Sequence, residues 1–173
     1  AVWKPAKLDE KFLRILPDVI KHYAKAGSGI LVFVPGIAEI MEVHKVLSEF
    51  EYDPEDRERG PSGHYKLWQG QRRLGCRVFV LHSIISPEEQ AEAVRRPGPD
   101  FCNLIISSNL AESSITIPGV DVVVDFGLRR VQTTSATSNQ ALQTKWCSQA
   151  SVRQRMGRTG RTGPGTNVRM FTR

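Results

Sequence analysis

The chain has 173 residues, 40% of them hydrophobic and 24% charged, with a net charge of +6; that is enough chain to bury one core without a disulfide or metal staple. No apolar run reaches the ~20 residues of a membrane-spanning helix, and no signal-peptide pattern opens the chain. Three cysteines (Cys76, Cys102, Cys147) without CxxC spacing and four scattered histidines argue against a disulfide framework or zinc site, and for reduced thiols in an intracellular protein. The charge is unevenly spread. No acidic residue follows Asp125 while nine basic ones do, so the last 48 residues carry +9 and residues 1–125 carry −3. A block of one sign points to a polyanion nearby, either nucleic acid or nucleotide phosphates. Ala1 and Arg173 read as boundaries within a longer chain.

In chain order, residues 8–26 carry a helical stripe of Leu8, Phe12, Ile15, Leu16, Val19, Ile20 and Tyr23, with Pro17 expected to kink or split the helix. Ile30–Val34 is a continuous apolar run, the pattern of a strand buried on both faces. Pro35-Gly36 turns into a second helix whose inner side is Ile40, Val43, Leu47 and Phe50. Residues 51–75, polar and rich in Gly, Pro and charge, read as a mobile surface loop. Arg77–Leu81 is the next strand. Ser86-Pro87-Glu88-Glu89 opens a helix with a capping box and a proline at the first helical position. Cys102–Ser107 and Val120–Asp125 are two further buried strands, and residues 128–147 read as a β-hairpin. Strand alternating with helix means βαβ units and a parallel sheet covered on both faces, with working residues on loops at the carboxyl ends of the strands. One domain spanning 1–173 is expected.

The stretch Gln154-Arg155-Met156-Gly157-Arg158-Thr159-Gly160-Arg161 is the most informative. On a helix, Gln154, Arg158 and Arg161 stand at i, i+4 and i+7 and share a face. Arg155 points elsewhere and is expected to be the dispensable arginine of the three. Two guanidiniums aimed together, with glycines between them, suit a phosphate chain, because the planar fork binds phosphate oxygens in pairs and keeps its charge. Spacing alone leaves a basic helix lying on solvent or on a nucleic-acid backbone equally open.

The QRxGRxGR stretch, preceded by Trp146-Cys147-Ser148-Gln149-Ala150-Ser151, resembles motif VI of the DEAH/RHA-type superfamily 2 RNA helicases. Ser107–Ile117 (SSNLAESSITI) resembles their motif V, Ile30–Ile40 their motif IV and Leu81-His82-Ser83 the short block that follows. All stand in the family's order over nearly the whole chain; 51–75 and the region near 91–100 match poorly. The resemblance implies the second RecA-like lobe, the helicase C-terminal domain, of an RNA-dependent ATPase. It implies that Arg158 and Arg161 are arginine fingers toward the γ-phosphate and that Gln154 helps hold that phosphate and the attacking water. Ser114 would link motif V to the same water, and Thr116 would meet the nucleoside. Ser108, Asn109 and backbone around Gly36 would touch the RNA backbone without reading sequence. The hairpin at 128–147 would stand against the RNA.

The resemblance further implies ATP, or another NTP, with Mg2+, held mainly by a first RecA-like lobe absent from this chain. RNA, that first lobe and activator or adaptor proteins are the partners it implies, with no membrane, in the nucleus or the cytoplasm. No GxxxxGK[ST] loop and no DEAH-like acidic motif occurs in the 173 residues, so this chain alone is expected to be inactive; no GxGxxG opens a βα turn, which argues against an unrelated dinucleotide-binding enzyme. Two positions depart from the family. Pro118 stands where an aspartate usually meets the ribose, and Val94 where a phenylalanine commonly stacks on the base. Both concern the nucleoside and leave the phosphates alone. They keep open the alternative of a degenerate lobe that scaffolds RNA or protein.

Overall fold

The structure, a computed structural model, describes residues 6–47, 51–52, 63–69, 72–113, 115–135, 138–161 and 163–171. Its elements run α1 (Glu10–Tyr23), β1 (Gly29–Phe33), α2 (Ile37–Leu47), β2 (Glu51–Tyr52), β3 (Gly63–Gln69), β4 (Arg72–Leu81) and α3 (Pro87–Ala93). Then come β5 (Phe101–Ser107), α4 (Leu110–Ser113), β6 (Val120–Asp125), β7 (Leu128–Ser135), β8 (Ser138–Trp146), α5 (Gln149–Met156) and β9 (Thr166–Arg169).

One sheet has the strand order β2-β3-β4-β5-β1-β6-β9, and β7-β8 form a separate antiparallel hairpin. The five strands β4, β5, β1, β6 and β9 pair in parallel. This is the α/β parallel sheet that the strand–helix alternation predicts, and the RecA-like architecture that the resemblance implies. Every residue of the central strand β1 is buried, and its side chains alternate between two cores. Ile30 and Val32 join the core under α1 and α2, with Leu16, Ile20, Ile40 and Val43. Leu31 and Phe33 join the core on the opposite face, with Ala93, Ala111 and Ile117. Helices therefore cover both faces, which is why β1 could be a run of apolar residues with no polar alternation.

Local chemistry accounts for the helix ends. The Asp9 side chain accepts from the Lys11 N–H at 2.9 Å to start α1, and the Ser86 hydroxyl accepts from the Glu89 N–H at 3.2 Å to start α3 behind Pro87. Pro17 sits buried inside a single assigned helix, so α1 is not split. Its stripe holds except at one place: Leu8, Leu16 and Ile20 are buried, but Leu13 is buried in place of Ile15, which is 46% exposed. Phe50 lies outside the described residues.

The largest departure concerns 51–75. Its described residues are strands, with β3 pairing antiparallel to β4 from Gly63↔Val78 to Gln69↔Arg72 and β2 joining β3. The strand expected at 77–81 begins at Arg72. The sequence signal was present but short: Tyr65 and Leu67 alternate with His64 and Lys66, the period-2 pattern of a strand, beneath a composition dominated by the Gly, Pro and charge of 53–62. Residues 53–62 and 70–71 lie outside the described residues.

Candidate functional site

The resembling segments converge on the carboxyl edge of the parallel sheet. Gly36 follows β1, Ser108 and Asn109 follow β5, and the hairpin follows β6. The helix α5 packs against α4 and β6 on the Phe33 side of the sheet.

Motif VI does not form one helix. The Ser148 side chain caps the start of α5 by accepting from the Ser151 N–H at 3.1 Å, and the helix ends at Met156 with Gly157 as its cap. Beyond it the bonds tighten to i→i−3, from Arg158 N–H to Arg155 O at 3.0 Å and from Thr159 N–H to Met156 O at 3.3 Å. Gly160 has φ +76°, a left-handed turn suited to glycine. The shared helical face expected of Gln154, Arg158 and Arg161 is therefore replaced by a short helix carrying Gln154 and a folded loop carrying both arginines. The signal for this was in the sequence: the two glycines that keep side chains clear of a phosphate also end a helix.

Arg158 donates to the backbone carbonyls of Glu112 and, at 2.9 Å, of Ile115. One carbonyl belongs to α4 and the other to the segment after it, so one guanidinium joins motif VI to motif V. Burial and the like charge of Arg161 lower its pKa from the usual arginine range, which leaves an arginine charged at physiological pH. Its Nε is buried without a hydrogen-bond partner, as is the Thr159 hydroxyl. Arg161 is exposed, and among the described residues its Nε donates to the Gly157 carbonyl at 3.4 Å. Gln154 is exposed on α5. Ser114 lies outside the described residues. Thr116 and Pro118 are exposed on the loop before β6, and Val94 is half-buried against the Phe33-side core at the end of α3.

On the candidate RNA side, Asn109 is exposed at the start of α4. Ser108 is only 5% exposed, and its N–H bonds the Leu81 carbonyl at 3.3 Å, so it is seated between strand ends. Gly36 is buried, its carbonyl accepting from Ile40 N–H at 3.0 Å. A Cβ on it would come within 3.6 Å of both Arg130 Nε and Glu39 Oε2. Arg130, on β7, holds both carboxylate oxygens of Glu39, on α2, at 2.7 and 2.9 Å. The hairpin is thus tied to motif IV directly over Gly36, a link that 91 residues of separation hide from the sequence.

Arg155 is the residue that sequence reasoning misjudged. It is fully buried and uses all three nitrogens: Nη1 to Asp125 Oδ1 at 2.8 Å, Nε to Glu112 Oε2 at 3.1 Å and Nη2 to the Leu128 carbonyl at 3.1 Å. Its guanidinium also lies 4.8 Å from the centroid of Phe33. Burial pulls its pKa down most strongly, but Asp125, Cys147 and Glu112 together outweigh that and leave it above the usual arginine range. Motif V, the end of β6, the root of the hairpin and motif VI all meet on this one side chain.

A parallel sheet covered by helices on both faces, with these segments gathered on its carboxyl edge, has the architecture of a RecA-like lobe. Residues 11–163 match the helicase conserved C-terminal domain family. The chain is 37% identical over 145 residues, 83% of its length, to a protein of Aedes aegypti named probable ATP-dependent RNA helicase spindle-E, and covers 10% of it. It is 34% identical over 171 residues, 97% of its length, to human probable ATP-dependent RNA helicase DHX34, and covers 13% of it. The crystal structure of the E. coli DExH-box NTPase HrpB superposes with a TM-score of 0.72 and 25% identity, over 97% of this chain and 18% of that one. The chain belongs to the helicase conserved C-terminal domain family. It is the second RecA-like lobe of a DEAH/RHA-type superfamily 2 helicase, and spans about a tenth of the length of these curated relatives.

Proposed function

We propose that this lobe is the C-terminal half of the motor of an ATP-dependent RNA helicase. Arg158 and Arg161 face the γ-phosphate of an ATP·Mg2+ held mainly by a first lobe, and the carboxyl edge of the sheet carries the RNA backbone. One observation supports this most. Arg158 ends on the carbonyls of Glu112, in α4, and Ile115, and the other end of the same short helix begins beside Asn109. A phosphate-facing loop and a strand-facing turn therefore share one element, as coupling of nucleotide state to RNA position requires. The buried, unpartnered Arg158 Nε and Thr159 hydroxyl fit a loop that meets a further polar group, and the relatives' names include ATP-dependent RNA helicases.

In this reading ATP supplies the phosphoryl group, and the lobe supplies fixed positive charge where negative charge develops, a contribution of roughly a thousand-fold or more in rate. Gln154 holds the γ-phosphate and attacking water, Ser114 contacts that water, and Thr116 is the remaining contact to the nucleoside. Ser108, Asn109 and Gly36 steady the RNA backbone, and activator or adaptor proteins act on the assembled protein. Two measurements test it. The 173-residue chain, which lacks a phosphate-binding loop, should show no ATP turnover with or without RNA, whereas a longer protein that includes a first lobe should show RNA-stimulated turnover. The chain alone should bind single-stranded RNA weakly, without sequence preference and with affinity falling steeply with salt; strong preference for one sequence would count against it.

A second reading rests on the exposed Pro118 and the half-buried Val94. With neither the aspartate nor the phenylalanine, a lobe that scaffolds RNA or protein without hydrolysis would show RNA binding in the longer protein but no RNA-stimulated turnover.

A further inference from the structure

A cavity of about 300 Å³ opens where α5, the hairpin root and the end of β9 meet, lined among others by Gly127, Trp146, Gln149, Arg153, Arg169 and Phe171. None of the roles proposed above uses it. Its walls pair aromatic surface with positive charge. The rings of Trp146 and Phe171 stand 6.1 Å apart at 52°, and Trp146 is 43% exposed. Arg153 and Arg169 are exposed, and among the described residues no carboxylate lines the cavity. Phe171 is seated there by a glycine: a Cβ on Gly127 would come within 2.7 Å of its ring.

We propose that this cavity takes one nucleotide of a single-stranded RNA, its base against Trp146 and its phosphate between Arg153 and Arg169. Bases stack on aromatic side chains whatever their identity, and guanidiniums bind phosphate oxygens in pairs. A volume of 300 Å³ suits a group of that size rather than a larger ligand. Position also fits. The cavity lies beyond β6 and β9 on the same carboxyl edge as Asn109 after β5 and Gly36 after β1, and these strands neighbour one another in the order β5-β1-β6-β9. At about 4.8 Å per strand the whole track is roughly 15 Å wide, so a strand crossing Asn109 and Gly36 reaches the cavity if it continues in line. The proposal rests on the RNA reading above and carries the path from Asn109 and Gly36 on to the hairpin root and the end of β9.

The test is a fluorescence titration of the 173-residue chain with a labelled oligouridylate at several salt concentrations. Trp146→Ala should weaken binding about tenfold and leave the salt slope alone, while Trp146→Phe should keep most of the affinity. Arg153→Gln with Arg169→Gln should flatten the log–log salt slope by about 1.4; both residues are at the surface, so this variant should melt with the wild type. Wild-type affinity and slope in all of these, alongside weakened binding by Asn109→Ala, would sink the cavity proposal and leave the RNA reading standing. No RNA binding by the wild-type chain would instead sink the RNA reading itself. Unchanged RNA binding with loss of an acidic, tyrosine-containing peptide on Trp146→Ala would reassign the cavity to a protein.

Discussion

Arg155 and Asp125 form an ion pair of 2.8 Å in which neither side chain is exposed to solvent. Asp125 ends β6 and also accepts from the Gly127 N–H at 2.8 Å, fixing the turn into the hairpin. Removing one partner of a buried pair strands the other, at a cost of about 3–5 kcal/mol. Arg155→Ala strands both Asp125 and Glu112 and opens a cavity beside Phe33. The expected result in urea denaturation is a lobe destabilised by roughly that amount, a large share of a domain's stability. Arg155→Ala combined with Asp125→Asn should be less destabilised than Arg155→Ala alone. Equal midpoints for Arg155→Ala and the wild type would remove the keystone role.

Why the sequence misjudged this residue is instructive. Helical spacing correctly turned Arg155 away from Gln154, but a direction says nothing about what lies there. The missing clue was Asp125 itself. A carboxylate closing the apolar run Val122-Val123-Val124 must be paired, and of the three arginines in Gln154–Arg161, Arg155 is the one that helical spacing turns away from the other two. Periodicity found the two-sided strands β1, β5 and β6 because burial on both faces writes itself as a continuous apolar run, Ile30–Phe33 in β1, Leu104–Ile106 in β5 and Val122–Val124 in β6. It could not find the Arg130–Glu39 tie, which depends on tertiary approach, nor the loop form of Arg158 and Arg161, where glycine overrides the heptad-like spacing.

The two candidate fingers should separate by a stability readout. In a longer protein with a first lobe, Arg161→Ala and Arg158→Ala should each cut RNA-stimulated kcat by about a thousand-fold with nucleotide affinity within several-fold, since a finger meets charge that appears mainly in the transition state. Only Arg158→Ala also releases the Glu112 and Ile115 carbonyls, two bonds worth about 1 kcal/mol each. It should melt measurably earlier, and Arg161→Ala should not. Lysine at either position keeps charge but loses the fork and should remain badly impaired. Normal turnover by both alanine variants would end the finger assignment.

Gly165 packs under the loop that carries Arg158 and Arg161. A Cβ there would lie 2.5 Å from the Gly160 nitrogen and closer still to the Thr159 hydroxyl, and the backbone atom cannot swing aside as a side chain would. Gly165→Ala should cost about 1–3 kcal/mol through overpacking and shift the loop bearing Arg161. Gly163→Ala, with nothing within 4 Å of the added carbon, is the matched control. Identical melting of the two variants would show that the loop yields freely.

All three cysteines are free and buried. Burial pushes the Cys147 thiol up to about 11, and its hydrogen bond to Cys102, together with burial, raises Cys76 well above the ordinary range. Thiolate is the reactive form. The Cys102 thiol is instead lowered by its hydrogen bond to Cys76, but it is fully buried, so a chromogenic thiol reagent at neutral pH should label none of the three over minutes in the native chain and all three in denaturant. Stoichiometric native labelling at the rate of free cysteine would contradict this packing.

The Arg130–Glu39 pair gives the sharpest test of where RNA crosses the lobe. It is partly exposed, at 32% and 14% for the two side chains, so it adds only about 0.5 kcal/mol to stability, and Glu39→Gln should barely move the melting temperature. Electrostatically the change is larger. Glu39 neutralises a guanidinium seated over Gly36, and its removal leaves an uncompensated cation there. If the RNA backbone passes Gly36, Glu39→Gln should tighten oligouridylate binding several-fold at low salt and steepen the log–log salt slope by about 0.7, the equivalent of one further phosphate contact on a single strand. Arg130→Gln should do the reverse. The two variants share nearly the same small effect on stability, so a difference in sign between them cannot come from folding. Weakened binding in both would mean that Arg130 needs Glu39 to hold its orientation, and unchanged binding in both would mean that the strand does not cross this point.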